Sequence, residues 1–368
     1  MTNPQAKPGY WVGLMSGTSL DGIDAVLADF GRVSPLVSSY YQPYPAALRE
    51  RILALHAPGQ NELHLAAVLA NDLSRAYAAA MNALLQLAGV DARAIAAIGC
   101  HGQTIRHRPD LGYTLQLVNG ALLAELTGIR VVCDFRSRDI AAGGEGAPLV
   151  PAFHQAMFQH PDCSRVIVNI GGIANLTILP VSKKVLGFDC GPGNLLMDAW
   201  IKRHRGLDYD ANGDWAQSGT AIPTLLHALL SHEYFDRPPP KSTGRDLFHL
   251  EWLEKFLSGS EAPEDVQATL LELTAETIAR AVRNYCGDAR EVYLCGGGAR
   301  NRALTERLRA LLADMKTGVT EELGINADWL EALAFAWLAQ RTLAGETGNL
   351  PDVTGALGPR VLGAIYPA

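Results

Sequence analysis

The run Gly13-Leu14-Met15-Ser16-Gly17-Thr18-Ser19-Leu20-Asp21-Gly22-Ile23-Asp24 sets small and hydroxylated residues around two carboxylates. This is the chemistry that an anionic oxygen needs. Glycine lets backbone N–H groups approach a phosphate, serine and threonine add O–H donors, and a nearby aspartate orients Mg²⁺ directly or through water. Gly, Ser and Asp are also the ordinary residues of a hairpin, and on this loop alone a plain turn accounts for them. A second glycine turn follows at Asn169-Ile170-Gly171-Gly172-Ile173-Ala174-Asn175, and a third at Cys295-Gly296-Gly297-Gly298-Ala299-Arg300-Asn301. Punctuation does not explain three such turns. The first lacks the lysine of a G-x-x-x-x-G-K-[ST] loop and none has the spacing G-x-G-x-x-G, which disfavours P-loop and Rossmann readings. What remains is a nucleotide clasped between two halves, each contributing a glycine hairpin, with the third turn near base and ribose. The implicated residues are Gly17, Thr18, Ser19, Leu20, Asp21, Gly22, Ile23 and Asp24, then Gly171, Gly172 and Asn175, then Gly296, Gly297, Gly298 and Asn301. Asp21 is the candidate metal contact.

The elements around these turns read as an α/β protein. Tyr10 to Leu14 and Gly22 to Phe30 are strand-like runs flanking the first turn, and residues 165–169 and 173–179 repeat that grammar around the second, as a duplicated unit would. Between them, apolar residues at three- and four-residue spacing (Leu69, Leu73, Tyr77, Ala80, Leu84) predict a helix from Glu62 to Ala88, stopped by Gly89. Strands are expected at 94–99, 113–118, 130–133, 185–190 and 291–295, and helices at 120–127, 195–204, 264–285 and 300–313. That alternation argues for α/β layers. The glycine-rich segment 134–147 reads as the crossing between halves, giving domains 1–140, joined by 352–368, and 141–351.

Composition narrows the class. At 368 residues the chain has room for two cores. Its 31 Lys and Arg against 38 Asp and Glu leave a net charge of −7, and no basic run favours a nucleic-acid partner. The six cysteines show no metal or disulfide spacing, so a reducing compartment is expected. The polar N-terminus and the lack of an apolar run of about 18 residues predict a cytoplasmic protein without a membrane span.

The order of a Gly-Thr-Ser hairpin, a Gly-Gly hairpin and a late Gly-Gly-Gly turn resembles the sugar kinase, heat-shock-protein and actin superfamily. Within it, Met15-Ser16-Gly17-Thr18-Ser19-Leu20-Asp21-Gly22, His101-Gly102-Gln103-Thr104, Asp134-Phe135-Arg136 and Gly187-Phe188-Asp189-Cys190-Gly191-Pro192-Gly193-Asn194 resemble the anhydro-N-acetylmuramic acid kinase family over nearly the whole chain. Cys190 stands where that family's pattern leads us to expect a small hydroxyl residue. The resemblance implies two similar domains of the actin-like ATPase type with a nucleotide cleft between them, ATP and Mg²⁺ as cofactors, an amino-sugar substrate and a homodimer. It further implies conversion of 1,6-anhydro-N-acetylmuramic acid, ATP and water into N-acetylmuramic acid 6-phosphate and ADP. An ordinary sugar kinase of the same superfamily is the alternative, and an actin-like or chaperone-like ATPase a more distant one.

Asp189, at a strand end before a Gly-Pro-Gly turn, is by its position equally a catalytic group or a capping aspartate. The resemblance implies the base that activates the attacking water. Glu331, on a largely apolar helical face, is an auxiliary catalytic candidate or a surface residue. Arg136 and Asp139 suit recognition of a sugar carboxylate, or else form a solvated Arg–Asp pair. Gln103 and Thr104 are candidate sugar contacts beside His101, which alone is more often structural. Lys241-Ser242-Thr243-Gly244-Arg245 reads as a basic phosphate loop or, with Ser242 or Thr243, as a helix cap.

Overall fold

The structure, a computed structural model, describes residues 9–17, 20–244 and 247–368. In chain order the strands of its first part are β1 (Tyr10–Ser16), β2 (Gly22–Ala28), β3 (Leu36–Pro43), β4 (Ile95–Arg108), β5 (Tyr113–Leu117) and β6 (Val131–Cys133). Then come β7 (Arg165–Ile170), β8 (Ile173–Leu179), β9 (Leu186–Pro192), β10 (Glu291–Cys295), β11 (Lys316–Val319) and β12 (Ala364–Tyr366). The chain divides into two compact units: the segment ending at Phe153 together with Trp329–Ala368, and His154–Asp328.

In the first unit β1, β2 and β3 form an antiparallel meander because short Gly-containing turns join them. β4 then returns parallel to β1, and β6 parallel to β4. A parallel return needs a crossover, and the helix Glu62–Ala88 supplies it between β3 and β4, with its predicted bounds and a left-handed Gly89 at its end. The seven-stranded order is β12-β6-β4-β1-β2-β3, with β5 on β4. In the second unit the order is β11-β10-β7-β8-β9, again a three-strand antiparallel meander followed by two parallel returns. The shared order β3-β2-β1-β4-β6 and β9-β8-β7-β10-β11 is the duplication expected from the repeated hairpin grammar, and it is the actin-like ATPase architecture that the resemblance implied.

Each unit has its own core. Val12, Leu14, Ile23 and Leu27 of the first sheet pack with Leu69, Leu73, Tyr77 and Met81 of the long helix. Val166, Val168, Leu176, Ile178 and Phe188 of the second pack with Leu270, Leu273 and Ile278 of the helix Pro263–Tyr285. Among the described residues, no helix is long and apolar enough to cross a membrane.

The division differs from the expected one. Residues 134–147 do not cross between units; they stay in the first, where the buried Asp139 carboxylate ties the segment down. The return falls at Trp329, not near 352, because the helix Leu330–Leu343 packs on the first sheet. Gly13 and Gly99, paired across β1 and β4, make its seat. A Cβ on Gly13 would lie 1.9 Å from the Ala332 carbonyl oxygen, and one on Gly99 2.0 Å from that of Phe335. Two absent side chains thus let helix backbone lie against strand backbone. Glu331 therefore belongs to the first unit.

Candidate active site

In the first unit the β1–β2 turn is supported from below. The Ser16 hydroxyl donates to Gln103 Oε1, Tyr44 Oη–H donates to Ser16 Oγ at 2.8 Å, and Gln103 Nε2–H donates to the Gly17 carbonyl at 3.2 Å. Gln103 is fully buried. Its amide therefore shapes the turn and is spent there, which corrects its reading as a sugar contact. Leu20, at φ 59°, and Ile23 point into the core, and a Cβ on Gly22 would strike the Gln42 carbonyl and the Tyr41 ring. Those three can offer a ligand main chain alone. Asp21 is exposed and Asp24 half-buried. Burial, then these two carboxylates, push the Tyr41 phenol above its ordinary range. Thr18 and Ser19 lie outside the described residues.

Beside β4, Arg136 donates from Nε and Nη2 to His101 Nε2 at 3.1 and 3.0 Å, and from Nη1 to the Gly146 carbonyl at 2.8 Å. An imidazole nitrogen that accepts from a guanidinium cannot carry a proton, so His101 is neutral with its hydrogen on Nδ1. Burial, and then Arg136, lower its pKa to about 3. Its ring lies 4.6 Å from that of Phe335. Burial also lowers Arg136, to about 10, against the opposing charges of Glu331 and Asp139, so the group remains a cation at neutral pH. The structure thus brings together His101, Arg136 and Glu331. His101, 4% exposed, stands behind the guanidinium as its support and not as a sugar ligand. Thr104 is half-buried, with Oγ1 accepting from Gln116 Nε2 at 3.2 Å.

Asp139 is corrected outright. It is fully buried, with Oδ2 accepting from Gly146 N–H at 2.8 Å and Oδ1 from Asn349 Nδ2 and Thr354 Oγ1 at 2.6 and 2.8 Å. The carboxylate fastens residues 144–146 to the return segment and faces no substrate.

In the second unit Asp189 lies within β9, not at its end. Asn175 pairs with Asp189 and Ala174 with Gly191, so Cys190 has no opposite residue and forms a bulge. Bulges bend a strand and re-aim its side chains. The Cys190 thiol donates to the Ala174 carbonyl at 3.2 Å, filling the place where a hydroxyl was expected. One Asp189 oxygen, Oδ2, accepts the Thr243 N–H at 3.0 Å. Burial raises this carboxyl to about 6, against the lowering effect of that N–H. Ser242 and Thr243 do not cap the following helix, since Leu250–Glu254 is capped by His249, and Arg245 of the 241–245 loop lies outside the described residues.

The second and third glycine turns meet at the end of β7. The N–H groups of Gly193, Asn194 and Leu195 donate to the Gly171 and Gly172 carbonyls. A Cβ on Gly296, at φ 75°, would lie 2.3 Å from Asn169 Oδ1, and one on Gly298 2.3 Å from Ile170 Cγ2. Those two glycines serve close packing. Gly297 is exposed, with 3.9 Å from its Cβ position to the nearest atom, and Gly171 and Gly172 are also open. Asn301 caps the helix Arg302–Leu311, its Oδ1 accepting from Leu304 N–H at 3.1 Å, so its side chain is a structural cap. Sequence reasoning missed Tyr44 and Tyr234, whose contacts with Ser16 and Asp189 join positions distant in the chain.

A family model described as anhydro-N-acetylmuramic acid kinase matches residues 9–368. The chain belongs to the anhydro-N-acetylmuramic acid kinase family. Relatives bearing that name are 60% identical in Nitrosospira multiformis, over 98% of this chain and 100% of theirs, and 60% identical in Nitrosomonas europaea, over the same shares. One from Thiobacillus denitrificans is 57% identical over 99% of this chain and 98% of its own. The protein is therefore a kinase of this family, an enzyme that uses ATP.

Two buried histidines make a testable demand on pH. His154 resembles His101 in being pushed to about 3 by burial, its Nδ1 paired with Thr177 Oγ1 at 2.8 Å. Both have an ordinary value of 6.5 once unfolded. Below that pH the unfolded chain binds more protons, so their contribution is complete above 6.5 and lost toward 3, at about 1.4 kcal/mol per pH unit for each. Asp189, raised from 3.8 to about 6, works in the opposite direction between those values. Two groups outweigh one, and urea midpoints are expected to fall between pH 7 and 5. A flat profile would contradict this.

Proposed function

We propose that the protein adds water across the 1,6-anhydro bridge of 1,6-anhydro-N-acetylmuramic acid and phosphorylates O6, giving N-acetylmuramic acid 6-phosphate and ADP. The observation that carries the reading is the Asp189 carboxylate. It is re-aimed by a bulge, fixed through one oxygen and raised to about 6, as suits a base near neutral pH. Asp189 takes a proton from water as the water oxygen bonds the anomeric carbon. The C1–O6 bond breaks, and O6 receives the γ-phosphoryl group. Glu331, beside Arg136, is the auxiliary candidate, and the Arg136 cation is the candidate partner for the substrate carboxylate. Thr104 remains a candidate hydroxyl contact, and Asn175, cross-strand from Asp189, a nucleotide contact.

Asp21 and Asp24 offer carboxylate oxygens, the donors that suit Mg²⁺, an ion that keeps several waters and takes one or two carboxylates plus phosphate. No group of three His, Cys, Asp or Glu that could hold a metal occurs among the described residues. Two such donors fit an Mg²⁺ ion that takes its other ligands from phosphate and water. When bound, it supplies neutralisation of phosphate charge. We further propose that the enzyme is a cytoplasmic homodimer serving recycling of cell-wall amino sugars.

Early-quenched turnover in ¹⁸O-labelled water is expected to place the label on the sugar and not on phosphate. Unlabelled sugar phosphate would instead show an ordinary kinase acting on an existing hydroxyl. Chelation of divalent ions is expected to stop turnover. Because a Cβ on Gly171 meets nothing closer than 3.5 Å, Gly171→Val is expected to fold normally. The same substitution should raise the KM for ATP by about tenfold or more if phosphate lies against that turn. An unchanged ATP saturation curve would make Gly171 a turn residue and nothing more.

A further inference from the structure

Tyr234 and residues 241–243 lie some fifty positions beyond Asp189 in the chain, yet they enclose it. Tyr234 Oη–H donates to the Asp189 carbonyl at 2.7 Å, and Asp189 N–H donates to the Lys241 carbonyl at 3.2 Å. Thr243 N–H reaches Oδ2. The two ends of this segment are joined by Lys241 itself. Its ammonium donates to the Tyr234 and Phe235 carbonyls at 3.2 and 3.3 Å and sits 4.8 Å from the Tyr234 ring centre, with the Phe188 ring at 6.0 Å. A lysine turned inward onto two carbonyls and an aromatic face is an internal brace.

We propose that Tyr234 and Lys241 are positioning residues that brace residues 234–243 against β9, so that Thr243 N–H holds one Asp189 oxygen and leaves the other to take the proton. The proposal rests on the reading of Asp189 as the base. Three bonds to the main chain and side chain of one residue leave that carboxylate little freedom. The N–H on Oδ2 also stabilises its charged form against burial. The ionisable groups facing Asp189 are the Tyr234 phenol and the Cys190 thiol, and those around Lys241 are Cys190, Asp236 and Arg237. Cross-strand Asn175 is neutral.

The test titrates ¹³C-labelled aspartate carboxyls by NMR in the full chain, with the Asp189 signal identified by its loss in Asp189→Asn. In Tyr234→Phe, which changes no charge, and in Lys241→Met, the Asp189 midpoint is expected to rise by about one unit as the N–H bond loosens. Lys241→Arg is expected to restore it. The acid limb of the kcat profile should move with the midpoint, while the alkaline plateau stays within about twofold. An unmoved midpoint in folded variants, or a kcat loss equal at all pH values, would overturn the brace. If Lys241→Met fails to fold, Tyr234→Phe, one oxygen smaller, still decides the question. If wild-type kcat does not follow the Asp189 midpoint, the base reading falls, and the midpoints still judge the brace.

Discussion

Asp189→Asn is expected to lower kcat by about 10²–10⁴-fold, the range for loss of a general base. Calorimetric affinities for ATP and the anhydro sugar should change little. Asparagine keeps the shape, and its Oδ1 can still accept the Thr243 N–H that now bonds Oδ2 at 3.0 Å. It cannot accept a proton from water. The loss can exceed that range, because on the proposed reaction ring opening and phosphoryl transfer share O6 and neither proceeds without the attacking water. Wild-type kcat should also fall about tenfold per pH unit below roughly pH 6, where the raised Asp189 carboxyl becomes protonated. Near-normal kcat in a variant whose circular dichroism matches wild type would remove Asp189 from the mechanism.

Gly99→Val is expected to produce the largest loss of stability, at least about 3 kcal/mol, with Gly13→Val close behind. The added Cβ would meet backbone oxygens of the helix Leu330–Leu343 at 2.0 and 1.9 Å, atoms that no rotamer change can move. Relief requires the helix to lift from the sheet. Because that helix carries Glu331 and Phe335, the variants should lose activity with stability, and urea midpoints beside kcat would show both. A valine variant with a wild-type midpoint would mean that the helix seat is not rigid.

Local grammar was legible where a short stretch decides its own conformation. The bounds of the helix Glu62–Ala88, its glycine stop, the helix Gly120–Thr127 and the hairpins around the first two glycine turns follow from spacing and turn chemistry within a few residues. The repeated order of those hairpins was enough to imply two units of one design. The motifs at 15–22 and 187–194 likewise sufficed for the family. The domain boundary was not legible, because glycines in 134–147 signal a turn without saying which sheet the turn serves.

Roles that depend on burial and on distant partners were decided in the tertiary structure. Asp139 and Gln103 look in sequence like ligands of a sugar. Packing supplies each with internal partners, from Asn349 and Thr354 in one case and from Ser16 and Gly17 in the other. Gly296 and Gly298 read in sequence as part of a turn near base and ribose, and only the fold shows that the approach of β7 leaves no room for a side chain there. Asp189 was named from its motif, but its raised pKa comes from burial, and its fixed oxygen from a chain segment some fifty residues away whose Thr243 N–H opposes that rise. Sequence by itself determined the element types, the duplication and the chemistry on offer, since these depend on residue type and near neighbours. That the Asp139 carboxylate is consumed in holding the fold was decided by long-range burial, because a buried charge must find partners wherever the chain brings them.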